Sequence, residues 1–144
     1  ISAWPARGSR WCREHTRMKG TLGGGEKGAL SRSVLDVLDA WEITREEQCR
    51  LLGLPASDAG RRWRRYRLGT PLPDDPEVWI RVAGLLRLAN ALRQLFPHSA
   101  PSANLWVTTP RAKFRNKTPL EVMLDGGSEA ISRVERSLDN LDLF

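Results

Sequence analysis

Five arginines stand in the seven residues from Arg61 to Arg67, interleaved with Trp63 and Tyr66, and no other stretch gathers so much chemistry. Guanidinium groups clamp phosphate oxygens and pair bidentately with the edge of guanine, so a row of them on one helix suits a nucleic-acid groove and backbone. On a helix, Ala59, Trp63 and Tyr66 share one face, which turns Gly60, Arg61, Arg64 and Arg65 outward and leaves Arg62 at the boundary. Cations this close repel one another, and either an anionic partner or the nearby Glu42, Glu46, Glu47 and Asp58 must offset that repulsion.

The remaining reactive side chains are sparse. Cys12 and Cys49 are far apart, and with two histidines they do not build a zinc cluster. His15 lies in a glycine-rich tail and His98 follows Pro97 in a turn, neither beside a nucleophile or base, and no phosphate-cradling glycine motif precedes a strand. The expectation is a chain that is not an enzyme, with no catalytic, cofactor-binding or metal-binding residues. Cys49 reads as a small buried hydrophobe.

Charge narrows the partner. The 144 residues carry 23 Lys and Arg against 17 Asp and Glu, a net +6, and that excess sits in the first half. Residues 1–29 hold six basic against two acidic residues and residues 30–73 eight against six, while residues 74–101 and 102–144 are each balanced. A basic patch in a short chain points to an anionic partner. The apolar run Val78–Phe96 contains Arg81, Arg87, Asn90, Arg93 and Gln94, so no membrane span is expected. Without a hydrophobic signal core, and with unpaired cysteines, the chain reads as cytoplasmic.

The elements that must position the arginines follow from periodicity. Residues 1–29, with Gly20, Gly23, Gly24, Gly25 and Gly28, read as a disordered or loosely packed basic tail, because each glycine raises the cost of ordering the backbone. Leu30, Val34, Leu35, Leu38 and Trp41 line a first helix ending near Glu42. Thr44 to Glu47 has capping-box form and starts a second helix that Gly53 closes, with Cys49 and Leu52 inward. A third helix begins around Ser57 and stops at Gly69. Together, residues 30–73 match a helix-turn-helix. In that arrangement Ser57, Gly60, Arg61 and Arg64 lie near the groove, Arg62, Arg65 and Arg67 meet the DNA backbone, and Gln48 braces a phosphate.

Asp75-Pro76 starts a long helix running to Phe96, part of a connecting and dimerisation region over residues 74–98. Its stripe of Val78, Val82, Leu85, Leu86, Ala89 and Leu92 is widened by Trp79 and Leu88 beyond the needs of a small core, so another surface must cover it. The C-terminal helices or a second copy would do so. A two-fold dimer through Trp79, Val82, Leu86 and Leu88 would also give the paired reading heads that symmetric operators require. In residues 99–144, Ser99 to Asn104 reads as a hinge or turn and Thr118-Pro119-Leu120-Glu121 as a strong helix start. Gly126-Gly127 interrupts that helix before Ile131, Val134, Leu138 and Leu141 define the last one. The architecture expected is all-α: a phage-repressor-like helix-turn-helix head, a long central helix and a small helical C-terminal unit.

Asn104-Leu105-Trp106 with Pro110, then Phe114 and Thr118-Pro119-Leu120-Glu121, then Gly127, Ala130, Val134 and Leu138, resembles the C-terminal signature of the Xre-type antitoxins of the MbcA/ParS family, partners of RES-domain toxins. The resemblance runs over residues 30–144. It implies a homodimer that binds double-stranded operator DNA as an autorepressor and occludes the NAD-binding cleft of a cognate RES-domain toxin, the toxin alone degrading NAD. The residues expected against the toxin are Arg111, Lys113, Arg115 and Lys117 of the basic loop, with Leu143 and Phe144 at the end. Where the family commonly has a glycine-rich loop before Thr-Pro-Leu, this chain has Arg115-Asn116-Lys117. The competing reading is a helix-turn-helix transcriptional regulator or an interaction scaffold without a toxin partner.

Overall fold

A computed structural model of the chain describes residues 24–138. Among them are six α-helices and two 3-10 turns, and the one β-type feature is an isolated antiparallel bridge between Arg111 and Lys117. The fold is all-α, as the periodicity requires. Helix α1 is Gly24–Ala40, α2 Arg45–Leu52, α3 Arg61–Arg67, α4 Pro76–Leu95, α5 Ala100–Val107 and α6 Pro119–Ser137. The 3-10 turns are Ala56–Ala59, ahead of α3, and Ala112–Phe114, ahead of α6.

Helix α4 is the axis on which the rest is built. It starts where expected, with Asp75 accepting from the Glu77 amide at 3.0 Å and Pro76 in the first turn. Helices α1, α2, α5 and α6 all pack on it. Val82, Leu86 and Leu88, expected at a two-fold interface, are therefore completely buried inside the single chain. Trp79 is half-buried: its indole donates to the Pro73 carbonyl at 2.9 Å, and the Lys27 ammonium lies 5.7 Å from its ring centroid. The wide apolar stripe is explained by helices wrapping α4 on several sides.

Three further expectations change. Helix α1 begins at Gly24, six residues before Leu30. Its glycines do more than loosen the backbone, because a Cβ on Gly28 would stand 2.6 Å from the Gly69 carbonyl oxygen, so this glycine lets the loop after α3 press against α1. Ser31 secures the same contact by accepting from the Leu72 amide at 3.0 Å while donating to the Lys27 carbonyl. The expected hinge at Ser99–Asn104 is helix. Ser99 caps α5 by accepting from the Ser102 amide at 3.3 Å, the proline lies in the first turn where no donor is missed, and Ala103, Trp106 and Val107 form a buried face. The third change is in α3, described below.

Helix α6 carries the full capping box at Thr118 and Glu121 and then bends at Gly127, whose φ of 67° and ψ of −145° are outside the helical region. A Cβ at Gly127 would be strained and would also meet the Arg81 guanidinium at 2.9 Å. Arg81 is a central fastener: it pairs with Glu77 at 3.1 Å and donates to the Arg50 carbonyl at 3.0 Å, joining α4 to the end of α2 beneath the bend. Hydrogen bonds first from Arg81 and then from Ser128 hold the Glu77 carboxyl below its usual range. On the other side of the bend, Gly84 lets α4 and α6 touch, since a Cβ there would lie 2.7 Å from Ile131.

Candidate functional site

Two basic surfaces emerge on separate elements. The first is α3. Helix α2 opens with Thr44, which accepts from the Glu47 amide at 3.2 Å and donates to the Glu47 carboxylate at 3.0 Å, so the cap lacks the return bond to the Thr44 amide expected of a full capping box. It closes at Gly53 in the left-handed conformation, as expected. The chain then makes the Ala56–Ala59 turn, breaks at Gly60, and forms only seven residues of α3. Ser57 and Gly60 are exposed in that turn and at its exit, not inside a helix.

Trp63 and Tyr66 form the inner face of α3, edge to face with centroids 6.4 Å apart, and both are buried. The Tyr66 hydroxyl donates to Asp58 at 3.1 Å, and Asp58, 2% exposed, also faces Arg62 at 3.5 Å. Burial and the neighbouring Asp58 carboxylate push the Tyr66 phenol up to about 12. The sequence places Asp58 beside the arginines. That it is a buried anchor for the turn follows only from the fold, although its spacing of four from Arg62 is the available signal. Burial, and then Asp58, raises the Cys49 thiol above its ordinary pKa, which makes it a poor nucleophile and agrees with a packing role.

Outward from this backing, Arg61, Arg64 and Arg65 are exposed and make no ion pair among the described residues. Arg62 and Arg67 are exposed as well but engaged, Arg62 with Asp58 and Arg67 with Asp39. Gln48 does not reach outward. It is buried, and its amide donates to Asp39 at 3.1 Å and to the Ile43 carbonyl at 3.2 Å, so it braces the α1–α2 corner and is not placed to meet a phosphate.

The second surface lies at the start of the C-terminal unit. Trp106 is buried at the end of α5, and the Arg111 guanidinium stacks 5.1 Å from its ring centroid. Neither the indole nitrogen of Trp106 nor Nε of Arg111 has an acceptor among the described residues, and burial lowers the Arg111 pKa. Arg111, expected to project from the loop, is thus half-buried and closes it: its amide donates to the Lys117 carbonyl at 3.1 Å, and the Asn116 amide donates to the Arg111 carbonyl at 3.0 Å. Lys113, Arg115 and Lys117 are exposed. Arg115 and Asn116 both take left-handed backbone, with φ of 58° and 65°, so the loop keeps a geometry that favours glycine although neither residue is one.

Between this loop and the bent α6 lies a groove of about 770 Å³. Phe114, Val122 and Gly126 supply apolar lining, and Arg133, Arg136 and Ser137 come from the far half of α6. With the three loop cations it gathers five basic side chains against one carboxylate, Asp125, which faces Lys117 at 3.7 Å. Arg133 and Arg136 were not among the expected site residues. Periodicity puts them on the solvent side of the last helix, and only the fold shows that this side also faces the loop. Leu143 and Phe144 lie outside the described residues, as do Cys12 and His15.

Residues 91–142, from the second half of α4 through the groove, match the antitoxin Xre/MbcA/ParS C-terminal toxin-binding domain. The chain is also 31% identical over 103 residues to the "Uncharacterized protein y4oB" of Sinorhizobium fredii (strain NBRC 101917 / NGR234), covering 72% of this chain and 76% of that relative. The C-terminal part of the chain belongs to the Xre/MbcA/ParS antitoxin family. The domain that marks the family is a toxin-binding one, which is a binding role and not a catalytic one. Among the described residues no group of three or more His, Cys, Asp or Glu could hold a metal ion, and no helix is long and apolar enough to cross a membrane. Of Arg115-Asn116-Lys117, the stretch expected to stand in place of a glycine-rich loop, Arg115 and Asn116 are the two left-handed residues.

Proposed function

We propose that this chain is the antitoxin of a type II toxin–antitoxin pair, binding a cognate RES-domain toxin so that its NAD-binding cleft is occluded, and binding operator DNA to repress its own operon. The observation that carries the reading is the toxin-binding family match over residues 91–142, which contains the whole basic groove. The DNA half is supported by α3, where Arg61, Arg64 and Arg65 stand outward on a helix backed by Trp63 and Tyr66. Arg61 and Arg64, with Ser57 and Gly60, face base edges in this reading. Arg62, Arg65 and Arg67 neutralise phosphates, with Arg62 and Arg67 sharing their charge with carboxylates. Neutralisation needs no covalent chemistry, only steric occlusion by the C-terminal unit. The dimer belongs to the same reading but calls on surface outside the buried stripe of α4, where Ile80 and Leu105 are exposed.

Co-expression with the product of the neighbouring gene, expected to be a RES-type toxin, tests it. Expected are restored growth, preserved cellular NAD and a stable complex on copurification. Continued NAD loss with no complex would contradict the toxin half. Deletion of everything after residue 100 is a poor variant for this purpose, because α5 and α6 cover the core of α4 and their loss would unfold the chain.

A further inference from the structure

The groove on the C-terminal unit has a composition that narrows its occupant. Its lining is apolar at Phe114 and Val122, and its rim is cationic. Three of the rim cations already have local acceptors: Lys117 has Asp125, Lys113 donates to the Ser137 carbonyl at 3.3 Å, and Arg136 donates to the Ser132 carbonyl at 3.4 Å. Arg115 and Arg133, which line the groove from the loop and from the far half of α6, have no acceptor among the described residues. Arg115 is moreover held in left-handed backbone, where an arginine is less favoured than a glycine.

We propose that this groove takes an acidic segment of the protein partner, with one apolar side chain seated against Phe114 and Val122 and flanking carboxylates paired to Arg115 and Arg133. The proposal rests on the reading that the C-terminal unit binds a protein. A volume of about 770 Å³ is ample for one large side chain and its neighbours. Charge complementarity selects acid: cations converging on a partly apolar cleft repel one another until a counter-charge enters, and ion pairs formed there are less screened than at an open surface. A duplex is disfavoured, since its backbone offers phosphates but no apolar group for the lining. The exposed arginine edge suited to a duplex is on α3, which packs on α1 and the preceding turn and contributes nothing to this groove.

The test uses the full chain and short synthetic peptides in which Leu or Phe is flanked by Asp and Glu, each paired with a copy carrying Asn and Gln instead, read by fluorescence anisotropy. A duplex and a peptide of residues 139–144 are run as competitors. Binding about tenfold tighter for the acidic series, weakening with salt and lost in the Arg115→Glu/Arg133→Glu double variant, is expected. Both positions are exposed, so the variant should melt like the parent. Equal binding of acidic and amide peptides, a preference that survives the double variant, or displacement by the duplex would overturn the proposal. So would tighter binding of the 139–144 peptide than of the others, which would make the chain's own end the occupant. If the toxin binds wild type and double variant equally, the groove assignment falls and the proposed function stands. If it binds neither while the acidic preference persists in the wild type, the proposed function falls alone.

Discussion

The arginine edge of α3 and the basic groove of the C-terminal unit use the same kind of side chain on opposite kinds of surface. On α3 the cations stand on a convex helix whose apolar side chains, Trp63 and Tyr66, are turned away into the core. In the groove they ring a concave surface whose apolar side chains, Phe114 and Val122, are half-exposed among them. A convex row of guanidiniums over a closed core offers charge and hydrogen bonds but no apolar seat. Cations around an open apolar cleft can meet an anion that brings a hydrophobic group with it. Five cations in each place would therefore suit two different recognition tasks, the backing deciding which.

The largest effect expected on this contrast comes from removing the backing of α3. Trp63→Ala should cost about 3–5 kcal/mol in a urea or thermal melt, because a fully buried indole leaves a cavity under a helix of only seven residues. The corresponding break in the C-terminal unit is Gly127→Ala, which puts a Cβ at positive φ and against Arg81. A loss of about 2 kcal/mol is expected in the same melt, and an unchanged melt would show that the bend does not need glycine.

Smaller effects sharpen the contrast without unfolding either region. If Arg61 reads a guanine, Arg61→Ala should lose about 1–3 kcal/mol of operator affinity and relax discrimination, whereas Arg65→Ala should weaken all sequences alike and lower the salt slope by about one. In the groove, Arg115→Gly relieves left-handed backbone and should raise stability by about 1 kcal/mol while weakening binding of the acidic series.

The last effect is a titration. Tyr66 is the only tyrosine, so phenolate absorbance reports it alone. The folded chain should ionise at about 12 against an ordinary value of 10.0. The folded pKa is raised, so the stabilisation is complete below pH 10 and is lost as pH climbs toward 12. A native titration at the ordinary value would mean that the hydroxyl is neither buried nor held by Asp58.

Much of this was legible from residue types and spacing, and the misses share one cause. The first four helices and the capping box at Thr118 follow from local rules, since periodicity, caps and closing glycines act within a turn or two of chain. Gln48, Val82, Leu86 and Leu88 read as surface residues because spacing along one helix cannot say which neighbour covers them. Helices α5 and α6 cover α4, and Asp39 and the Ile43 carbonyl claim Gln48. The start of α1 does not show in the sequence because glycine raises the cost of ordering the backbone, whereas in the fold Gly28 permits a close approach to Gly69. Arg133 and Arg136 join the groove because the far half of α6 lies beside the loop, where Lys113 reaches the Ser137 carbonyl, a contact between segments that spacing along one helix does not reveal.

The division of labour is tested most directly by measuring operator and toxin affinity for the same two variants, Arg61→Ala/Arg65→Ala and Arg115→Glu/Arg133→Glu. The α3 variant should lose operator binding with toxin affinity unchanged, and the groove variant should do the reverse. A variant that loses both while keeping its fold, or a groove variant that loses the operator and keeps the toxin, would contradict the assignment of the two surfaces.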